Sequence, residues 1–339
     1  MQNMNITEIT MKLADCGGVS GREDEISLYA AELLKKYTDD ITIDNGSVIA
    51  MLGDKNAKPH IVIDAHTDRI GFVVTSVTDG GFLKVSNAGG IDMRILAAQQ
   101  VIINGKKAVR GVICSVPPHL NHGEKKVPDI SDIYIDTGLK KKEAEELISL
   151  GDTVRFACTA KKLLGNRITG GALDDRSGIA AVIYALENTD ISALKCRVTV
   201  VFSAQEEIGE RGAAVCAYRT AADIALAVDV SFAYSEGEKK DKCGQLGKGC
   251  MIGYAPTLDR ELSRRFTELA KAENIPYQTE VMSGTTGTNA DRYSVTRDGM
   301  KAVTLSIPLR YMHTPSEVID MNDVINTGRL IAAYLKGVC

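Results

Sequence analysis

The sequence predicts an α/β chain, with a mostly parallel central sheet flanked by helices and interrupted by a small β-barrel insertion. Three observations predict it. Apolar strand patterns alternate with helical patterns toward both ends of the chain, as expected of a buried parallel sheet. Between residues 69 and 164 that alternation gives way to short β-rich runs punctuated by Gly and Asp, the pattern of a small antiparallel barrel or sandwich. The length, 339 residues, suits about two domains of ordinary size. The simplest division is a discontinuous domain of residues 1–68 and 165–339, with 69–164 as the insertion.

Element by element, Ser20-Gly21-Arg22-Glu23 has the form of a capping box. Ile26, Tyr29, Ala30, Leu33, Leu34 and Tyr37 follow it at helical spacing. Asp44-Asn45-Gly46 is a turn signal. Ile61-Val62-Ile63 reads as a buried strand delivering the polar end Asp64-Ala65-His66. Within the insertion, strands are expected at 72–74, 82–85, 101–103, 109–116, 133–135 and 154–156, with one polar helix at 141–150. Residues 117–130, PPHLNHGEKKVPDI, are expected to form an exposed, mobile loop. After Gly170-Gly171, helices at 176–187, 258–272 and 318–335 alternate with strands at 198–202, 224–228 and 302–308.

Composition narrows the functional classes. Hydrophobic residues at 44% and charged residues at 25% are ordinary for a globular protein and exclude a disordered, collagen-like or coiled-coil chain. Lys and Arg number 40 against 44 Asp and Glu, a net charge of −4. No positive excess exists to follow a nucleic-acid backbone. No apolar run of about 18 residues supports a membrane span. The N-terminus has neither the basic nor the apolar region of a secretory signal, so a cytoplasmic location is expected. The 8 cysteines form no C-x-x-C pair and are expected to be reduced, serving as small apolar residues.

Five polar clusters stand at strand ends or, in one case, after a Gly-Gly turn: His66-Thr67-Asp68, Asp174-Asp175, Gln205-Glu206-Glu207, Asp229 and His313. Ligands of open α/β sheets bind beyond the carboxyl ends of the strands. Each cluster alone has an ordinary structural explanation. His66 and His313 could be strand-end or capping histidines, Asp174-Asp175 a helix cap, and Glu206-Glu207 a solvated acidic turn. Asp68 is close enough to take the second N–H of a metal-bound His66. Adjacent glutamates in extended chain point apart, so one can bind a metal while its neighbour faces water or substrate. They cannot readily flank a glycosidic bond. Taken together, two imidazoles and several carboxylates suit Zn²⁺, Co²⁺ or Mn²⁺, and two such ions sharing a carboxylate form a hydrolytic centre.

As an ordered set, Ala65-His66-Thr67-Asp68-Arg69-Ile70-Gly71, Gly171-Ala172-Leu173-Asp174-Asp175-Arg176, Gln205-Glu206-Glu207-Ile208-Gly209-Glu210-Arg211-Gly212-Ala213, Val228-Asp229-Val230 and Arg310-Tyr311-Met312-His313-Thr314-Pro315 resemble the M42 family of dinuclear metal aminopeptidases, including its glutamyl, leucyl and TET types. The resemblance implies a dinuclear zinc peptidase-like fold and two divalent ions per subunit. Asp174 would bridge them, with His66 and Asp229 completing one site and Glu207 and His313 the other. Glu206 would be the general base and Asp68 would orient His66. It also implies a cis Asp174–Asp175 bond, peptide substrates, and dimerisation through the insertion, with dimers assembling into a dodecamer. Asn289 stands where the family pattern usually has Asp, a departure on the substrate side. Arg292 and Arg310 are candidates to bind an acidic substrate residue, though pairing with nearby carboxylates is favoured. A related dinuclear deacylase or carboxypeptidase, or a non-catalytic assembly scaffold, remains an alternative.

Overall fold

A computed structural model describes residues 5–117, 119–120 and 127–338. Much of the loop expected at 117–130, namely 118 and 121–126, lies outside the described residues.

The main sheet runs in the order Ile41–Asp44, Ser47–Leu52, Arg197–Ser203, His60–His66, Ile224–Phe232, Lys301–Arg310, Glu317–Asp320, Arg167–Gly170 and Lys161–Lys162. Its centre is parallel as expected: Arg197–Ser203, His60–His66, Ile224–Phe232 and Lys301–Arg310 all run the same way. These strands are buried on both faces, which explains their unbroken apolar runs. The flanking pairs are antiparallel, so the sheet as a whole is mixed. A side branch, Cys250–Tyr254 and Tyr277–Val281, joins through Lys301–Arg310.

Helices cover both faces. Ile6–Asp15, Asp24–Leu34, Leu173–Glu187, Arg260–Ala272 and Met321–Val338 enclose the larger core, which includes Ile61, Ile63, Leu226, Val228, Leu305 and Ile307. Arg211–Thr220 and Ala290–Val295 cover the other face over Val62, Ala225, Ala227 and Ala302. None of the helices among the described residues is long and apolar enough to cross a membrane.

The insertion contains a closed six-stranded antiparallel barrel of Gly71–Val77, Leu83–Ala88, Tyr134–Asp136, Ala108–Ile113, Gln100–Asn104 and Thr153–Phe156. Alternate residues such as Phe72, Val74, Val101, Ile103, Val154 and Phe156 fill its interior, as closure of a small barrel requires.

Three expectations need correction. Ser20 does not cap the first expected helix. That helix starts at Asp24 without a side-chain cap, because the Ser20 hydroxyl donates instead to Asp68 Oδ2, 2.6 Å away. The closing helix starts at Met321, because Glu317–Asp320 pairs as a strand with Arg167–Gly170. Cys196 is disulfide-bonded, so the cysteines are not all reduced, whereas Cys16, Cys114, Cys158, Cys216, Cys243 and Cys250 carry free thiols.

A buried network braces the carboxyl edge of the central strands from below. Asp64 accepts from Ser203 Oγ and Asn289 Nδ2, each at 2.8 Å, and from Tyr293 Oη at 2.5 Å. Asn289 is therefore part of the core, where its amide supplies N–H donors to a carboxylate that burial has pushed up to about 6. An aspartate there would set two carboxylates against each other. Asn289→Asp should lower stability at neutral pH by roughly 3 kcal/mol, the scale of an uncompensated buried charge. An unchanged urea midpoint would contradict this role.

At the opposite end of the same strand, His60 is buried with Nε2 2.8 Å from Thr199 Oγ1. Burial, aided by Arg197 and Lys58, lowers its pKa to about 4. The unfolded chain, with an ordinary histidine, then binds the extra proton as pH falls from 6.5 toward 4, so stability is lost over that window. Between about pH 6.5 and pH 5 this one group should cost roughly 2 kcal/mol. His60→Gln should flatten the acid side of the stability profile by that amount, and an unaltered profile would refute it.

Candidate active site

The parallel strands end along one edge, and the side chains anticipated from the sequence meet there. His66 closes its strand, Glu206 and Glu207 follow Arg197–Ser203, Asp229 lies in the second half of the strand Ile224–Phe232, and His313 follows Lys301–Arg310. Asp174 comes from the turn opening Leu173–Glu187, where Asp174 and Asp175 depart from helical geometry and the peptide bond between them is cis.

Asp174 lies between the two imidazoles. Its Oδ1 is 3.0 Å from His66 Nε2, and its Oδ2 is 3.4 Å from His313 Nε2. His66 Nε2 is also 3.9 Å from Asp229 Oδ1 and from Glu206 Oε2. His313 Nε2 is 3.2 Å from Glu207 Oε2. The adjacent glutamates thus diverge, one toward each histidine. Two groups of donor atoms result, His66–Asp174–Asp229 and Asp174–Glu207–His313, each with its atoms within 4.8 Å of one another and Asp174 common to both.

The electrostatics are those of crowded negative charge. Burial, then repulsion from Asp229, Glu207 and Asp174, drives Glu206 up to about 10 despite the attraction of His66. Burial also raises Glu207, Asp175 and Asp229. Burial opposes a charged His66, but the bonds to Asp174 and Asp68 outweigh it and hold the ring well above the ordinary histidine value. Two imidazoles cannot balance so many carboxylates in a buried space, whereas divalent cations bound by N and O donors can. The donor set therefore fits such ions.

Other residues hold this arrangement in place. Asp68 Oδ1 is 3.4 Å from His66 Nδ1, and the Asp68 carboxylate also accepts the backbone N–H groups of Glu206 at 2.9 Å and Glu207 at 3.2 Å. Asp175 caps its helix by accepting from Gly178 N and also accepts the backbone N–H of His66. A Cβ at Gly178 would lie 2.4 Å from both Asp175 oxygens, so glycine is required there. Arg292 pairs with Glu210 at 3.0 Å, and Arg310 donates to the Tyr234 carbonyl at 2.6 Å. Each thus has a protein partner, though for Arg310 it is a carbonyl and not a carboxylate.

Sequence reasoning missed Ser20, Asp64 and Glu317. Glu317 is buried beneath Asp174 and His313. The available signal was an acidic residue four positions beyond His313, which reads equally well as the start of a helix.

Comparison with known proteins identifies the family. The family model described as M42 glutamyl aminopeptidase matches residues 46–330. A lysyl aminopeptidase of Pyrococcus furiosus is 34% identical, over 97% of this chain and 96% of its own. The structure of an aminopeptidase from Desulfurococcus kamchatkensis is similar at a TM-score of 0.91 and 35% identity, covering 97% of this chain and 94% of that one. The TET1 peptidase of Pyrococcus horikoshii, described as assembling into a tetrahedron or a large octahedral shell, has a TM-score of 0.87 at 32% identity, covering 98% and 99% of the two chains. The chain belongs to the M42 glutamyl aminopeptidase family, and its activity is that of a hydrolase, an aminopeptidase.

Proposed function

We propose that this aminopeptidase works through a dinuclear metal centre, with Glu206 as general base, to release the N-terminal residue of short peptides. The observation that carries the proposal is the pair of donor groups sharing Asp174. His66, Asp174 and Asp229 would hold one divalent ion, and Asp174, Glu207 and His313 a second, with Zn²⁺ or Co²⁺ favoured and Mn²⁺ suitable. When bound, such ions supply the positive charge that polarises a scissile carbonyl and acidifies a water.

The protein's own groups manage the proton. Glu206 belongs to neither donor group, and its Oε2 lies 3.9 Å from His66 Nε2. In the proposed reaction it takes a proton from the attacking water, whose oxygen bonds to the carbonyl carbon. It then delivers that proton to the peptide nitrogen as the C–N bond breaks. Asp68 orients His66 through Nδ1 and, by binding both N–H groups, fixes the loop bearing Glu206 and Glu207.

Residues 1–68 and 165–339 would form the catalytic domain and 69–164 the dimerisation domain, with dimers assembling into a dodecamer as the TET-type relatives suggest. Exposed Phe82, Val112 and Val116 in the insertion, and Leu164 at 96% exposure on a hairpin tip, are apolar surface available for such contacts. A cytoplasmic location is part of the same reading and is supported by the free thiols, with Cys196 the exception.

Two outcomes test the chemistry. Glu206→Gln should retain two metal ions per chain by elemental analysis while kcat falls about 10²–10⁴-fold, and near-normal turnover would remove Glu206 from its role. Peptides with a free α-amine should be cleaved and their N-acetylated counterparts left intact. Equal cleavage of both would favour a related deacylase or carboxypeptidase.

A further inference from the structure

We infer that Glu317 is a positioning residue that sets the spacing between Asp174 and His313, and through it the affinity of the Asp174–Glu207–His313 group for its ion. The inference rests on the dinuclear reading above. Glu317 is 1% exposed and opens the strand Glu317–Asp320, where pairing opposite Gly170 brings it beside the turn leading to Asp174. Its Oε2 accepts the backbone N–H groups of Leu173 at 2.7 Å and Asp174 at 3.3 Å, and its Oε1 accepts that of His313 at 3.1 Å. One carboxylate therefore ties together two segments separated by more than a hundred residues.

Both segments need such a tie. Asp174 and Asp175 depart from helical geometry, so the amides of Leu173 and Asp174 lie in the turn ahead of the helix that Asp175 caps, and buried amides there need a partner outside it. Glu317 supplies that partner from another part of the chain. Ala172 has φ +63° and His313 has φ +61°, left-handed conformations that L residues hold only when their surroundings impose them. The other donor group has separate anchors: Asp68 at His66 Nδ1 and Asp175 at the His66 amide. Glu317 thus acts on the shared ligand and on one side of the centre.

Glu317→Gln separates this role from a merely structural one. The side chain keeps its shape but has one oxygen, so it can hold the 173–174 amides or the His313 amide and must turn an NH₂ group toward the other. Co²⁺ titration, followed by visible absorption and by competition with a chelator, reads the two sites independently of activity. Wild-type protein should bind two ions. The variant should bind one with affinity within about threefold of wild type and the second 10–100-fold more weakly, the scale for losing an outer hydrogen-bond partner. Ile319→Val, a core change on the same strand, should leave both affinities unaltered.

Two unchanged affinities in Glu317→Gln, or equal weakening of both, would overturn the inference while leaving the dinuclear reading intact. Fewer than two ions in the wild type would instead overturn that reading. If Glu317→Gln does not fold, Glu317→Asp is read by the same criteria, since it keeps the charge but retracts it by one methylene.

Discussion

The site depends on one carboxylate placed between two imidazoles. Asp174 gives one oxygen to each of His66 and His313, and the remaining acids gather around that axis in a space largely closed to water. Charge of one sign packed so closely is costly unless cations offset it. Burial, joined by that repulsion, raises Glu206, Glu207, Asp175 and Asp229, whereas the bonds to His313 and His66 hold Asp174 low despite its burial, and divalent ions suit such an arrangement.

The scaffold delivers these groups from rigid elements. Parallel strands buried on both faces place their carboxyl ends along a single edge, so residues distant in sequence become neighbours without long flexible loops. Below that edge Asp64 ties the ends of two strands to Asn289 and Tyr293. At the edge Asp68, Asp175 and Glu317 bind backbone amides and do not simply neutralise side chains. Amide ties fix the chain itself, which limits how far a coordinating side chain can drift, and preorganisation of this kind is what a metal centre requires of its support.

The central strands and the six barrel strands were legible in the sequence because apolar runs and their punctuation are local signals. His66, Asp174, Glu206, Glu207, Asp229 and His313 were legible as polar residues abutting such runs, and the family resemblance ordered them into roles. The supporting residues left no comparable trace. Ser20 and Glu23 matched a capping box, yet Ser20 bonds Asp68 forty-eight positions away. Glu317 begins a short strand because an antiparallel neighbour is present, and nothing in Glu317-Val318-Ile319-Asp320 announces that neighbour. Asn289 looked like a substrate-side departure, and its position against Asp64 could be found only once a separation of 225 residues had been closed by folding. Local pattern foretold the elements, while the contacts that stiffen the site are tertiary.

The claim on which the account rests is that two cations share Asp174. Diffraction from crystals loaded with Co²⁺ or Zn²⁺, measured on both sides of the metal absorption edge, tests it most directly. Two anomalous peaks about 3.5–4 Å apart, one among His66, Asp174 and Asp229 and the other among Asp174, Glu207 and His313, are the predicted result. A single peak, or a pair whose ligands exclude Asp174, would contradict it.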